Sequence, residues 1–436
     1  MSDGSVGEGL VRTDLEGYAP ASNLSFNEKI RKLIDQGQKV YHFAFGQSPF
    51  PVVEIATQAL KEHAHQNAYL PVAGLLELRD GISKFHAKYD DIAVDPDNII
   101  VGPGSKELIF LLLQIFNGDV IVISPSWTTY RPQTKLAHHK AFVIDTNLEN
   151  EWKITPTLVH QLMENNTMKK NRLLIFNNPD NPTGTGYSRK ELKALSEVFR
   201  EYNILVLSDE IYGRLHYDQS HVCMAQVYPE GTILCTGLSK WASAGGWRIG
   251  YHIYPPQLSP LKKAVQSAAS HTYSCAPAPM QYAVSHLFTD LAACDEYIKH
   301  CSRIMGVVGS YSQRELVSVG VKVVQPTAGY YIFPDFGVVK DKLKTRGIET
   351  CQQMCDAIFA ETSVALMAGG PAFLRPVDEL TTRLCFVPFD GTRALEASRA
   401  LGLDVTLPGN FVKEYCTPVY EGIQILKQWV TKQLES

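Results

Sequence analysis

The sequence of 436 residues contains no unbroken run of about 18 apolar residues, so it offers no membrane-spanning helix. Charge of one sign is equally scarce. The 41 basic and 45 acidic side chains leave a formal net charge of -4, too small to predict a nucleic-acid partner, although a local basic pocket stays open. The first twenty residues, MSDGSVGEGLVRTDLEGYAP, carry acid and glycine but no apolar stretch, unlike a secretory leader. Nine cysteines form an odd, scattered set, which argues against a fully bridged secreted chain and for a reduced, cytoplasmic setting. Cys351 and Cys355 lie four apart on a predicted helix and His138 adjoins His139, yet nothing nearby completes a ligand set, so no metal site is expected. The dinucleotide fingerprint G-x-G-x-x-G and the phosphate loop G-x-x-x-x-G-K-[ST] are both missing, which removes the usual support for nicotinamide or nucleotide-triphosphatase chemistry. No repeat with a period of about 20 to 50 residues is present, which excludes a solenoid.

What is present is alternation. The apolar runs VIVIS, KAFVI, RLLIF, ILVLSD and TILCT follow one another from Val120 to Thr236, with helical segments such as SRKELKALSEVFREYN between several of them. Short apolar runs alternating with helices predict an α/β fold with a mainly parallel central sheet buried on both faces. Right-handed crossovers then bring the carboxyl ends of the strands to one edge, where open sheets gather ligands. Upstream, SFNEKIRKLIDQG predicts a helix with Ser25 or Asn27 as its cap and Gly37 as its stop. Beyond Tyr254 the text is helical, and VKVVQP, GYYIFPDF and TRLCFVPF then read as strands of a smaller α/β or α+β part. The resulting division is a tip at 1–24, a segment at 25–50 that joins the smaller part, a large domain at 51–300 and a small C-terminal domain at 301–436.

Several polar residues fall where the strands end. ILVLSD runs into the acidic pair Asp209 and Glu210, followed by Tyr212, at the expected ligand edge. RLLIF runs into NNPDNPTG, positions 177 to 184, whose prolines and glycine demand a rigid turn. VGPGSKE puts Gly104 and Ser105 at a helix start, where free N–H groups suit a phosphate. CTGLSKWASAGGWRIGY, positions 235 to 251, sets Lys240 among small residues and Arg248 eight positions on. A lysine desolvated in this way loses its proton more easily and can attack a carbonyl carbon. Arg248 offers a planar fork to a phosphate, Asp209 can accept from a protonated ring nitrogen, Tyr212 can donate to a ring oxygen, and Trp127 can stack on a ring face. An aldehyde, a phosphate and a pyridine ring are the three features of pyridoxal 5'-phosphate.

With GLSKWASAGGWRIG, NNPDNPTG, SDEIYG, YLPVAGLLELRDGI and TRLCF in this order, the sequence resembles the class I and II aminotransferases of fold type I, the aspartate aminotransferase superfamily, from about Tyr41 to Phe389. The resemblance implies pyridoxal 5'-phosphate as cofactor and Lys240 as the lysine of the internal aldimine, later the base that moves a proton between the substrate's α-carbon and the cofactor. It implies Asp209 against the pyridinium nitrogen, Asn181 and Tyr212 on the phenolic oxygen, and Trp127 stacked on the ring. It gives the phosphate to Ser105 and Arg248, with Gly104 and the Lys106 N–H nearby. Tyr69 would reach the phosphate of a partner subunit's cofactor, which implies a homodimer with shared sites. Arg383 would grip the substrate carboxylate, aided by Asn181 and by Gly46 in the segment FGQSPF. Gly237 stands where many relatives have a phosphate-binding serine.

The implied reaction is ping-pong transfer of an amino group from an L-amino acid to a 2-oxo acid through internal and external aldimines. A C–S lyase or cyclising enzyme would use the same lysine, aspartate and arginine. A non-catalytic regulatory protein of this fold is a further alternative, and the acidic N-terminus argues against a DNA-reading extension. Tyr41, Phe43, Phe45, Phe50 and Tyr130 could line an aromatic substrate pocket, while Lys106, His42, His139 and Arg375 give no clear second cation for a dicarboxylate.

Overall fold

Seven strands form the central sheet, and the reason they stay buried is visible in their alternation. In the computed structural model, which describes residues 10, 12–15 and 21–435, the first strand, β1 (Tyr41–His42), lies outside this sheet. The sheet itself contains β2 (Ile99–Gly102), β3 (Asp119–Ser124), β4 (Ala141–Asp145), β5 (Arg172–Asn177), β6 (Ile204–Asp209), β7 (Thr232–Gly237) and β8 (Gly250–Ile253) in the order β2-β8-β7-β6-β5-β3-β4. Val120 and Val122 of β3, with Leu173 and Ile175 of β5, pack into one apolar cluster. Ile121, Leu174 and Phe176 pack into another on the opposite face. Successive side chains of a strand point to opposite faces, so each strand needs apolar residues throughout to be covered on both.

The five strands expected from the apolar runs are all present and mutually parallel. Two further strands, β2 and β8, were not foreseen as such, and β8 runs antiparallel to both its neighbours. The cause is local: β7 is followed by a turn through Lys240 and Arg248 that sends the chain back alongside it. Helices cover the sheet. One of them, Arg189–Glu201, starts in a capping box in which Ser188 Oγ accepts from the Glu191 N–H and the Glu191 carboxylate accepts from the Ser188 N–H.

The smaller part contains β9 (Tyr331–Ile332), β10 (Val364–Ala365), β11 (Met367–Ala368) and β12 (Thr382–Cys385). β11, β12 and β9 make an antiparallel sheet, and β1 pairs in parallel with β10, which ties the N-terminal segment to the C-terminal part. The run VKVVQP forms no named strand and contributes one bridge, Lys322 to Asp335. A 27-residue helix, Leu291–Val317, passes through the expected division at residue 300. Among the described residues, no helix is long and apolar enough to cross a membrane, no group of metal-binding side chains is present, and the nine cysteines are free.

The N-terminal helix begins earlier than its capping signals predicted. It spans Ser22–Asp35 from Ala21, with Ser25 and Asn27 inside it. Ser25 Oγ donates back to the Ser22 carbonyl, and buried Asn27 pairs through Oδ1 with His42 Nε2 at 2.8 Å, so neither side chain is available as a cap. Gly37 does follow the helix end, with φ at +86°. Of the tip expected at 1–24, residues 1–9, 11 and 16–20 lie outside the described residues.

Candidate active site

Because β5, β6 and β7 are parallel, their carboxyl ends share one edge, and the segments that leave them surround a cavity of about 570 Å³. NNPDNPTG leaves β5 as a clamped turn. The Asn177 amide donates to the Asp209 carbonyl at 2.7 Å, and Asn177 Oδ1 accepts from the Asn181 N–H at 2.8 Å. Asn181, Asp209, Tyr212, Lys240, Arg248 and Arg383 all line the cavity.

Lys240 Nζ donates to the Gly46 carbonyl at 2.7 Å and lies 5.6 and 5.7 Å from the ring centres of Tyr212 and Tyr330. Burial, aided by the positive charges of Arg383 and Arg248, lowers its pKa to about 8, with Cys385 and Asp209 pulling the other way. Asp209 is 3% exposed. Tyr130 donates to its Oδ2 at 2.7 Å and the Ile211 N–H to its Oδ1 at 3.3 Å. Burial raises the Asp209 pKa to about 6, and those two hydrogen bonds restrain the rise. The acidic pair divides between the two sides of the chain. Glu210 turns away to accept from Ser208 Oγ and the Met224 N–H and to pair with His221 Nε2, so Asp209 alone of the two lines the cavity.

At one end of the cavity the helix Ser105–Ile115 begins at Gly104, whose φ is +91° and which provides no side-chain cap. A Cβ on Gly104 would stand 2.0 Å from Arg248 Nη2, so only glycine lets the guanidinium approach the helix start. Arg248, itself in the left-handed region at φ +57°, is held by the Gly245 carbonyl at 2.9 Å and the Pro103 carbonyl at 3.4 Å. Burial and Arg248 lower the Lys106 pKa, and its ammonium lies 4.9 Å from the Trp127 ring centre. Free helical N–H groups, a serine and two cations without an acid among the residues lining this end make a cradle for a dianion.

At the other end Arg383 is 1% exposed, with its guanidinium 5.0 Å from the ring centres of Tyr331 and Phe373. Its Nη2 donates to the Ala44 carbonyl at 2.6 Å and its Nη1 to Asn181 Oδ1 at 3.4 Å. Nε has no acceptor, and the guanidinium's partners are an amide oxygen, a backbone carbonyl and the Met367 sulfur, none of them a carboxylate. A buried cation lacking a counter-ion is costly unless a ligand brings the negative charge.

Of the residues expected from the sequence, Gly46, Ser105, Lys106, Trp127, Asn181, Asp209, Tyr212, Lys240, Arg248 and Arg383 line this one cavity, and Gly104 adjoins it through Arg248. Tyr69 does not line it and is 89% exposed. In the suggested aromatic pocket only Phe45 and Tyr130 line the cavity; Tyr41, Phe43 and Phe50 are core residues. Among the cations weighed for a second site, His42 pairs with Asn27, His139 with the Leu113 carbonyl, and Arg375 with Glu379, whereas Lys106 lines the cavity. Gly237 acquires a physical reason: a Cβ there would sit 2.8 Å from the Ile249 carbonyl and 2.9 Å from Gly250 Cα, so β8 leaves no room for a serine.

Two contributors escaped the sequence reading. Tyr130 was noticed as an aromatic, but its bond to Asp209 was not foreseen. Tyr331 shares a 2.8 Å hydrogen bond with the Tyr212 hydroxyl and packs against Arg383. A Cβ on Gly46 would lie 2.0 Å from the Tyr331 hydroxyl, so these two residues also fix each other's positions.

The donor set fits pyridoxal 5'-phosphate, with a cradle that a single Cβ would fill, an amine of lowered pKa and a buried carboxylate. Comparison with known proteins agrees. Residues 31–389 match the family described as aminotransferase class I and II. The chain is 30% identical over 371 residues to an aspartate aminotransferase of Bacillus subtilis, covering 81% of this chain and 90% of that protein. It is 29% identical over 359 residues to an asparagine–oxo-acid transaminase of Streptococcus mutans, covering 79% and 88%. In fold it is similar to the Thermus thermophilus aspartate aminotransferase with maleate, at a TM-score of 0.81 and 23% identity, covering 96% of this chain and 99% of that one. The chain therefore belongs to the class I and II aminotransferase family, within the fold type I pyridoxal-phosphate-dependent superfamily.

Proposed function

We propose that the protein is a pyridoxal 5'-phosphate-dependent aminotransferase that moves an amino group from an L-amino acid to a 2-oxo acid. One observation carries this reading: a single cavity is lined by an amine of lowered pKa at Lys240, an anion cradle at Ser105 and Arg248, and a buried guanidinium without a counter-ion at Arg383. Bound there, pyridoxal 5'-phosphate would supply an aldehyde that condenses with amines and a protonated ring that draws electrons from the substrate's α-carbon. Arg248, Ser105 and the N–H groups that follow Gly104 would hold the phosphate, and Trp127 would lie against the ring. Asp209, kept anionic by Tyr130 and the Ile211 N–H, would hold the ring-nitrogen proton. Tyr212 and Asn181 would donate to the phenolic oxygen.

Arg383, Asn181 and the segment at Gly46 would bind the substrate carboxylate, which fixes the α-carbon beside Lys240. With a pKa near 8, Lys240 is about one-tenth neutral at pH 7, a far larger fraction than an exposed lysine provides. In the loaded protein Lys240 would take the proton from the substrate's α-carbon and hold it for return. Tyr69 is free to serve a second copy of the chain, and we propose a homodimer in which it does so. Nine free cysteines support a cytoplasmic setting.

The test is a half-reaction of the loaded protein with a panel of L-amino acids, aspartate and asparagine first. Transamination converts the bound cofactor to its amine-level form, and pyruvate, 2-oxoglutarate or oxaloacetate reverses the change. Release of pyruvate and ammonia without that conversion would replace this reading with an eliminating one.

A further inference from the structure

Asp209 is followed in the chain by a second buried carboxylate that does not line the cavity and so has no contact with a ligand there. Glu210 Oε1 accepts from Ser208 Oγ at 2.7 Å and from the Met224 N–H at 2.9 Å, and Oε2 accepts from His221 Nε2 at 2.7 Å. The bond to Ser208 closes around Asp209, so the residues on either side of it are tied to each other. His221 is as buried as its partner, with 4% of its side chain exposed. Its ring also lies against the backbone of Gly213, where a Cβ would stand 2.8 Å from Cδ2. The pair therefore holds, from behind, both ends of the turn that brings Asp209 and Tyr212 to the cavity.

Two adjacent buried carboxylates oppose each other's ionisation. Burial is the main cause of the raised Asp209 pKa, and the charge of Glu210 adds to it. The other charged groups behind the turn are committed elsewhere. On the helix Leu76–Asp90, Asp90 accepts from Arg214 Nη2 and from His86 Nδ1, each at 2.6 Å, and Tyr251 shares a 2.9 Å hydrogen bond with His86 Nε2. His216 pairs with Asp218, and burial pushes the thiols of Cys223 and Cys235 well above their ordinary pKa, so they bring no charge. On the cavity side Asp209 faces Tyr130 and Lys240. His221 is left as the group placed to offset Glu210.

We propose that His221 is a positioning residue for the cofactor: paired as a cation with Glu210, it cancels the charge beside Asp209 and keeps Asp209 the anionic partner of the ring nitrogen, a role that rests on the proposed contact between Asp209 and that nitrogen. Loss of the positive member leaves Glu210 uncompensated and drives Asp209 toward its neutral form. Loss of the negative member leaves the His221 cation and does the reverse. A brace that only holds shape gives both losses the same sign.

The test uses the full chain, first free of cofactor and then with pyridoxal 5'-phosphate. Infrared titration of the Asp209 carboxyl, isolated by difference against Asp209→Asn, reads its pH midpoint directly. His221→Gln keeps an N–H for Glu210 without the charge and is expected to raise the midpoint by about one pH unit, whereas Glu210→Gln is expected to lower it by about as much. The double variant His221→Gln/Glu210→Gln is as neutral as the parental pair and is expected to return to the parental midpoint. Because the parental pKa is about 6, equilibrium dialysis at pH 6 is expected to show cofactor binding about fivefold weaker in His221→Gln and about twofold tighter in Glu210→Gln. Shifts of one sign in both single variants overturn the inference, as does a double variant displaced as far as either single one. An unmoved midpoint in His221→Gln, or shifted midpoints with unchanged cofactor affinity, overturns it as well. No substrate takes part, so these outcomes are independent of whether the protein transaminates or eliminates, which the half-reaction reads separately.

Discussion

A lysine whose charge is buried beside other cations should weaken the fold that surrounds it, and at Lys240 the size of that effect can be worked out. The free ammonium is buried beside Arg383, with Arg248 also repelling it, which takes its pKa from 10.5 to about 8. That change corresponds to about 3 kcal/mol against the charged form in the folded, cofactor-free protein. Methionine at this position keeps most of the side-chain volume and removes the charge. It also gives up the hydrogen bond to the Gly46 carbonyl, which costs about 1 kcal/mol. Cofactor-free Lys240→Met is therefore expected to be more stable than the cofactor-free parent by about 2 kcal/mol at pH 7, at the loss of the bond proposed between Lys240 and the cofactor.

The dependence on pH has a definite sign. Between pH 8 and 10.5 the unfolded chain carries a proton on Lys240 that the folded chain has lost, so the parent gains stability as pH rises. By about pH 9.5 the penalty has fallen to about 1.4 kcal/mol, and the advantage of methionine is nearly gone. Urea unfolding of both cofactor-free proteins at several pH values, followed by tryptophan fluorescence, measures the difference. A methionine variant that is less stable at pH 7 would refute the reasoning, as would an advantage that stays constant with pH.

Three further outcomes follow from the same geometry. Tyr130→Phe removes a donor that keeps Asp209 ionised, and cofactor affinity is expected to fall about tenfold, read by equilibrium dialysis; unchanged affinity would mean that Asp209 does not depend on that bond. Arg383→Ala is expected to lower kcat/KM by roughly a hundredfold or more through loss of carboxylate binding, with cofactor affinity retained, and a loss confined to cofactor binding would contradict the assignment. Gly237→Ser adds a Cβ against the β8 backbone and is expected to cost about 1 to 3 kcal/mol in chemical denaturation without tightening phosphate binding, whereas a stable variant with a more slowly dissociating cofactor would show that β8 can yield.

The distinction between Lys240 and Tyr130 also explains how far the sequence could be read. The parallel strands were legible because burial on both faces leaves an apolar run in one short stretch, and the placement of Asp209, Lys240 and Arg248 in one cavity was legible because each stands as a polar residue close to a strand end. The antiparallel β8 was missed because its direction is set by the turn after β7, not by its own composition. Ser25 and Asn27 were misplaced as caps because the contacts that keep the helix going, above all Asn27 with His42, come from another segment. Tyr130 lies 79 residues before Asp209, and Tyr331 lies 119 residues after Tyr212; neither is marked by local spacing, and a tyrosine in an apolar run is equally suited to a core. Gly237 reads as a missing hydroxyl in one dimension and as a steric requirement in three. The groups that would touch the cofactor are thus written locally, because chemistry restricts them, while the groups that tune those contacts are selected by neighbours across the fold. A substitution at Tyr130, Tyr331 or Gly237 could therefore leave every recognisable motif intact and still change how the cofactor is held.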